Sequence, residues 1–340
     1  MPDAHPPIET VAVIGAGAMG AMYADHFARA GLRTLLLADG ERAERLRRDP
    51  LLVNGRRLEA EVVDPLFEAS DRGAPPTADL VIVAVKHHRL AEAADLLRPV
   101  VTSTTTVLSI LNGLDSEEVI RAAVPRLSPE QVPLCIALAM DAEREGHRVR
   151  FTQTGRLVFG SAESAAAGVD GDGSDREDGS DGSHGGGSTP RLRAVQDALT
   201  RAGLAWETPP DMRHRMWWKF MVNVGINQAS AVLRAPYGAF QRPGPARDLM
   251  ATLVEEVRAV AAAEGVDLDD SDVAQWHRVL AGQPADGMTS MHQDVLAGRE
   301  TEVEIFAGRV VALGGEHRIP TPHNQTMLWV LRALTELHHG

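Results

Sequence analysis

Cysteine is nearly absent: the 340 residues contain one, Cys135. A lone cysteine excludes an intramolecular disulfide and any zinc site built on several thiolates. Its setting, the apolar run "VPLCIALAM", makes it a small core residue rather than a reactive one. Basic charge is also short. Lys and Arg number 34 against 47 Asp and Glu, a net charge of −13, which argues against nucleic acid as a partner. No apolar run reaches the roughly 18 residues that a membrane-spanning helix requires, so no membrane partner is expected. The opening "MPDAHPPIET" lacks a basic stretch followed by an apolar one. No secretory leader is therefore expected, and a cytoplasmic location follows.

What remains is an ordinary globular composition, 44% apolar and 24% charged, on a chain long enough for two domains. One segment stands apart. Residues 164–189 read "SAAAGVDGDGSDREDGSDGSHGGGST", with six acids and one arginine, so they carry −5 of the net charge. Glycine, serine and aspartate bury too little apolar area to offset the entropy of ordering, so this is a predicted disordered insertion. Within it "DGDGSD" resembles the start of a calcium loop. However, the position that needs glycine holds Asp175, and the bidentate position holds Asp181. A solvated linker is the better reading, and no metal site is expected.

The first half alternates strand and helix. "TVAVIGAGAMGAMYADHFARAG" reads as a buried strand over Val11–Ile14, a glycine turn and an Ala-rich helix. Gly15, Gly17 and Gly20 form G-x-G-x-x-G. The first glycine permits the tight turn, the second lets backbone approach a pyrophosphate, and the third lets helix and strand pack closely. The helix N-terminus then offers N–H groups and partial positive charge to phosphates. "RTLLLAD" supplies the next strand, and Asp39 ends it 19 residues after Gly20. A carboxylate there suits the ribose 2′-hydroxyl of NAD and repels the 2′-phosphate of NADP. Arg42 and Arg45 lie just beyond and could restore NADP binding; alternatively Asp39 only caps the next helix. "ADLVIVAVK" (78–86) reads as a strand ending in Lys86, and "TTVLSILNG" (105–113) as one ending in Asn112 and Gly113. Ligands of open α/β sheets sit beyond the carboxyl ends of strands. Lys86 and Asn112 are therefore candidates to meet the nicotinamide half, against the plainer readings of a surface lysine and an Asn-Gly turn. "QVPLCIALAM" (131–140) is a further strand, and "VRFTQTGRLVFGS" (149–161) alternates about a glycine turn, which predicts a hairpin or an antiparallel edge. A helix over 190–203 and a short returning strand, "LAWET", complete this half.

From Pro209 onward the strand signals fade. "DMRHRMWWKFMVNVGINQASAVL" reads as one long helix, and "RDLMATLVEEVRAVAAAEG" as another that stops at Gly265. Asp270 or Ser271 is the predicted cap of "DVAQWHRVLAG". Two helical stretches follow in 289–317, and "TPHNQTMLWVLRALTEL" is the last. The plan is a Rossmann-type dinucleotide-binding domain over 1–208, with the 164–189 insertion inside it, and an all-helical substrate domain over 209–340. The substrate is expected to face the cofactor in a cleft between them. In the long helix, Lys219, Asn223 and Asn227 recur every four residues, so they stack on one face. A polar stripe among Phe, Met, Val and Ile is either a polar contact face or a chemical one.

Taken in order, "GAGAMG", "VK" (85–86), "NG" (112–113), "WKFMVNVGIN" (218–227), "SMHQD" (290–294), "TEVE" (301–304) and "PHN" (322–324) resemble the ketopantoate reductase family along nearly the whole chain. The Lys-x3-Asn-x3-Asn helix followed by Ser-Met-x2-Asp and Thr-Glu-Val-Glu is the specific part. The resemblance implies NAD(P)H-dependent reduction of ketopantoate to pantoate, a step of pantothenate synthesis, on a small anionic 2-oxo acid. It implies Lys219 as general acid and Glu302 as the carboxylate that contacts substrate and helps position that lysine. Asn223, Asn227 and Ser290 match substrate-binding positions, and Asn112 matches one near both cofactor and substrate. It also implies NADP(H), whereas Asp39 favours NAD(H). The residue types suit the chemistry: hydride addition to a ketone creates an alkoxide, which needs a proton donor and stabilising dipoles. Amides and a hydroxyl bind an anionic substrate without adding negative charge.

The chain departs from the family at three places. Tyr237 and Ala307 stand where asparagine is common, and Asp39 stands where a basic residue is common. Two other readings therefore accompany the first: a related reductase of another 2-oxo acid or ketone, and a dinucleotide-binding sensor with no catalysis. The sensor reading expects the acid or its partner to be lost, yet Lys219 and Glu302 are both present. The sequence sets no oligomeric state; a homodimer is compatible with it.

Overall fold

A computed structural model of the protein describes residues 5–71, 73–162 and 189–339. The acidic insertion over 164–189 lies outside the described residues except for Thr189. That residue caps a helix, its Oγ1 accepting from the Leu192 N–H at 3.3 Å. The chain divides into two compact units, Met1–Leu111 with Asp115–Met212, and Asn112–Leu114 with Arg213–Gly340. The first is α/β around a parallel sheet and the second is helical, the class that the sequence predicts.

The first unit begins β1 (Thr10–Ile14), α1 (Ala18–Arg29), β2 (Arg33–Leu37), α2 (Gly40–Arg48). A small hairpin follows, β3 (Leu52–Val53) and β4 (Arg56–Arg57), then β5 (Glu61–Val63) and α3 (Pro65–Asp71). Next come β6 (Leu80–Val83), α4 (Leu90–Leu97), β7 (Thr106–Ser109) and α5 (Ser116–Ala123). The main sheet has the order β5-β2-β1-β6-β7, all parallel. Successive strand side chains point to opposite faces. Val11, Val13, Leu80 and Ile82 accordingly enter one core, and Ala12, Ile14, Val81 and Val83 another. Burial on both faces is why these strands read as unbroken apolar runs rather than as alternation.

The unit is completed by β8 (Leu134–Met140), β9 (Glu143–Glu145), β10 (Arg148–Arg150), β11 (Thr154–Gly160), α6 (Pro190–Arg201) and β12 (Ala205–Glu207). The predicted hairpin over 149–161 does not form. Its two halves belong to different sheets: β10 pairs with β9 across Gly146, and β11 pairs antiparallel with β8. The alternation signalled antiparallel pairing correctly, but the partner strands lie earlier in the chain. Gly155 belongs to that second pairing. It has φ +61, and a Cβ on it would lie 2.0 Å from the Leu138 carbonyl oxygen, so only glycine lets β11 approach β8 this closely.

The second unit contains α7 (Met212–Leu233), α8 (Gly238–Gln241), α9 (Pro245–Ala263), α10 (Asp270–Ala281), α11 (Ser290–Leu296), α12 (Ala307–His317) and α13 (Pro322–His339). One core joins them, with Trp217, Phe220, Met221, Phe240, Phe306 and Leu331 at its centre. The cap of α10 is Asp269, one residue before the predicted Asp270 or Ser271. Its carboxylate accepts from the N–H groups of Ser271 (2.8 Å) and Asp272 (3.1 Å), and Asp272 reciprocates to the Asp269 N–H at 3.0 Å. The start of α13 is capped from another helix. Buried Glu256 of α9 accepts from the backbone N–H groups of His323 (2.8 Å) and Asn324 (2.9 Å) and from Asn324 Nδ2 (2.8 Å). Gln228 of α7 donates to Asn324 Oδ1 at 3.1 Å, so "PHN" is the knot that joins α7, α9 and α13.

A second buried carboxyl makes the first unit sensitive to pH. Glu117 of α5 accepts from the Cys135 N–H at 3.1 Å and from Ser116 Oγ at 2.9 Å. Burial pushes its pKa up to about 7, against the lowering effect of those hydrogen bonds. A carboxyl raised in the folded state stabilises fully below its ordinary pKa, and that contribution is lost as pH rises toward about 7. The full effect is about 3 kcal/mol. Glu117→Gln is therefore expected to gain stability relative to wild type between pH 5 and pH 8, read from urea midpoints. A difference that stays constant across that range would contradict the assignment.

Candidate active site

The glycine turn between β1 and α1 is shaped by close backbone approach. Gly15 has φ +99, and a Cβ on it would sit 2.5 Å from the Ala84 carbonyl oxygen. A Cβ on Gly20 would fall 1.9 Å from the Gly15 carbonyl oxygen. Both must be glycine for strand and helix to meet. At Gly17 a Cβ would meet nothing within 4 Å, which leaves open space beside the first turn of α1. That turn carries no acidic residue. A pyrophosphate fits there, on unpaired N–H groups and the positive end of the helix dipole.

Asp39 occupies the N-cap position of α2 but its carboxylate makes no capping hydrogen bond. Asp64 does that work instead, accepting from the Gly40 N–H at 2.8 Å. Asp39 is exposed and lines a small pocket with Gly15, Leu37, Arg42, Arg89 and Glu92. The Arg42 guanidinium is held below its usual pKa by burial, then by the like charges of Arg89 and Arg45, with Asp39 acting the other way. Lys86 is exposed and lies three residues past the end of β6, so the predicted strand over 78–86 stops earlier, at Val83. It has extended backbone and precedes a short 3-10 turn, His87–Arg89.

In the second unit the polar stripe runs along α7. Lys219 and Asn223 are half-buried and Asn227 is buried. The opposite face of the helix carries Gly225, where a Cβ would lie 2.8 Å from Val254 Cγ2 of α9. Close approach there presses α7 onto its neighbour and leaves the stripe turned away. Ser230, one turn beyond Asn227, bonds Thr289 Oγ1 at 2.7 Å. Thr289 is the N-cap of α11, accepting from the His292 N–H at 3.1 Å, so this bond ties Ser290 and its helix to α7. Glu302 precedes the 3-10 turn Val303–Ile305 and accepts from Asn112 Nδ2 at 3.1 Å. Its approach is held by Arg299, which donates through Nε to Asp294 at 2.7 Å and through its backbone N–H to the Asp294 carbonyl at 2.8 Å.

The structure thus joins Asn112 to Glu302 and ties the helix of Ser290 to that of Lys219, Asn223 and Asn227. Tyr237 packs over Gly287, to whose carbonyl its backbone N–H donates at 2.9 Å. Ala307 is fully buried in the helical core. The sequence did not point to Asp64, Arg89, Ser230 or Thr289. The Asp-Pro at 64–65 and the Thr before "SMHQD" were their only local signals. Another signal is compositional: among 34 basic residues only two are lysines, Lys86 and Lys219.

Comparison with known proteins matches most of both units to one family. Residues 11–164 match the family described as "Ketopantoate reductase PanE/ApbA", and residues 211–335 match its C-terminal part. A 2-dehydropantoate 2-reductase of Halobacterium salinarum is 29% identical over 95% of this chain and 97% of its own. Among solved structures, a PanE/ApbA family ketopantoate reductase from Ralstonia eutropha JMP134 has a TM-score of 0.75 and 25% identity, covering 97% of this chain and all of that one. A D-mandelate dehydrogenase solved with NADH and anilino(oxo)acetate shares the fold, with a TM-score of 0.79 and 20% identity over 97% of this chain and 100% of its own.

Proposed function

This chain belongs to the ketopantoate reductase family, and on that premise we propose that it reduces ketopantoate to pantoate with NAD(P)H in pantothenate synthesis. The observation that carries the reading is the use of lysine. Arginine supplies the other 32 of the 34 basic side chains. An arginine stays charged at any working pH, whereas a lysine can give up its proton. One of the two lysines lies on the polar stripe of α7, where a proton donor is needed.

The roles follow from the groups present. A reduced nicotinamide, when bound, would supply the hydride that the carbonyl carbon takes up. Lys219 gives its proton to the oxygen as the alkoxide forms, and the neutral amine is reprotonated from solvent. Glu302 fixes the ammonium and is itself held by Asn112. Asn223, Asn227 and Ser290 bind the substrate's carboxylate and hydroxyl through neutral dipoles. Gly15, Gly17 and Gly20 carry the cofactor's pyrophosphate, with Lys86 and Asn112 toward its nicotinamide end. Asp39, unused as a cap, accepts from the adenosine ribose and favours NAD(H).

A reductase of another 2-oxo acid is the second reading, favoured by Tyr237 and Ala307. An aryl 2-oxo acid beside ketopantoate in one assay separates the two, and the higher kcat/KM decides. Lys219→Ala is expected to lower kcat by about 100-fold or more, with the Kd for reduced cofactor kept. Near-normal turnover would remove Lys219 from the chemistry. Asp39→Arg is expected to move the NADPH/NADH ratio of kcat/KM toward NADPH by about 10-fold or more, through exchange of a like-charge contact for an opposite one. An unchanged ratio would leave Asp39 with no part in cofactor choice.

A further inference from the structure

The hairpin of β9 and β10 holds no residue that the sequence singled out, yet one of its side chains reaches the glycine turn. Arg144 donates through Nη1 to the carbonyl oxygen of Ala16, the residue between Gly15 and Gly17. Its Nε donates to the Gly146 carbonyl at 2.8 Å. The guanidinium is thereby fixed between its own hairpin turn and the turn that opens α1. A guanidinium has about five N–H donors, so these two bonds leave most of the fork for another acceptor.

The surroundings of the fork are cationic. Its pKa is held below the usual guanidinium value by partial burial and then by the positive charge of Arg45. Arg42 in turn feels Arg89, Arg45 and Arg144 as like charges. Guanidinium groups that feel one another as like charges are relieved when an anion sits among them, and a bidentate fork suits phosphate oxygens. Two phosphates of a dinucleotide could be that anion. The pocket of the adenosine end is lined by Asp39, Arg42 and Arg89, and Arg144 is not part of its lining. Arg144 is bonded instead at Ala16, beside the open space at Gly17.

We propose that Arg144 is a cofactor-binding residue that clamps the pyrophosphate over the glycine turn, a cation brought from a hairpin more than a hundred residues downstream of that turn. The proposal rests on the nicotinamide-cofactor reading above. Its test is equilibrium binding of NADH, NADPH and ADP-ribose to the full-length wild type, Arg144→Gln and Arg144→Lys, followed by isothermal titration. All three ligands carry the pyrophosphate, and ADP-ribose has no nicotinamide. Arg144→Gln is expected to weaken all three by one common factor, about 10-fold or more for loss of a charge-assisted bond. Arg144→Lys keeps the charge without the fork and is expected to fall between. If the Gln variant does not fold, a common several-fold loss in the Lys variant carries the test. A loss confined to NADPH would reassign Arg144 to the 2′-phosphate and overturn the clamp. Unchanged affinities would overturn it as well, whereas a wild type that binds none of the three would defeat the cofactor reading itself.

Discussion

The close approach at Gly225 is the contact that sets how the helical unit presents its polar stripe. With no side chain there, α7 nests against Val254 and Met250 of α9. At about 100° per residue, Gly225 lies about 200° around the helix from Asn223. The tightest contact and the middle of the polar stripe are therefore on opposite faces. Two further ties fix the helix. Trp218 Nε1 donates to the Asp272 carbonyl at 3.2 Å, and Gln228 reaches Asn324, itself bound to Glu256. A helix held at three places on its packed sides presents Lys219, Asn223 and Asn227 in one rotation. Such preorganisation lets dipoles act on developing charge without first reorienting.

Electrostatics divides the labour between the two units. The protein is acidic overall, yet its proposed ligands are anions. In the first unit the remedy is local reversal of sign, with Arg42, Arg45, Arg89 and Arg144 influencing one another near the glycine turn. In the second unit the side chains proposed to hold the substrate, two carboxamides and a hydroxyl, are neutral and add no negative charge beside Lys219. Lysine is kept for two positions, one in the loop after β6 and one on the stripe, where a compact cation differs from a guanidinium fork.

Much of this was legible in the sequence because it rests on local rules. The order strand, glycine turn, helix was read from Gly15, Gly17 and Gly20, and the backbone contacts at Gly15 and Gly20 give its physical reason. The extent of α7 and the i, i+4, i+8 stripe followed from helical period alone. What escaped depends on long-range partners. Residues 149–161 alternate as a hairpin would, but β11 pairs with β8 while β10 turns back on β9. The cap of α13 comes from Glu256, 67 residues before His323, and Arg144 meets a turn 128 residues away. Asp39 looked like a helix cap by position, yet Asp64 from the neighbouring strand end supplies the hydrogen bond. No spacing rule reaches such pairs, because the topology of the sheet and the packing of α9 decide them.

The central claim is that residue 219 serves as a proton source and not only as a positive charge. Lys219→Arg tests this most directly, because it keeps a cation on α7 whose guanidinium holds its proton at any working pH. Single-turnover rates of ketopantoate reduction, with the variant saturated in reduced cofactor, should fall about 100-fold or more. The loss should be present across pH 6 to 9, with the substrate still bound. An arginine variant that turns over at close to the wild-type rate would show that charge alone suffices and would contradict the account.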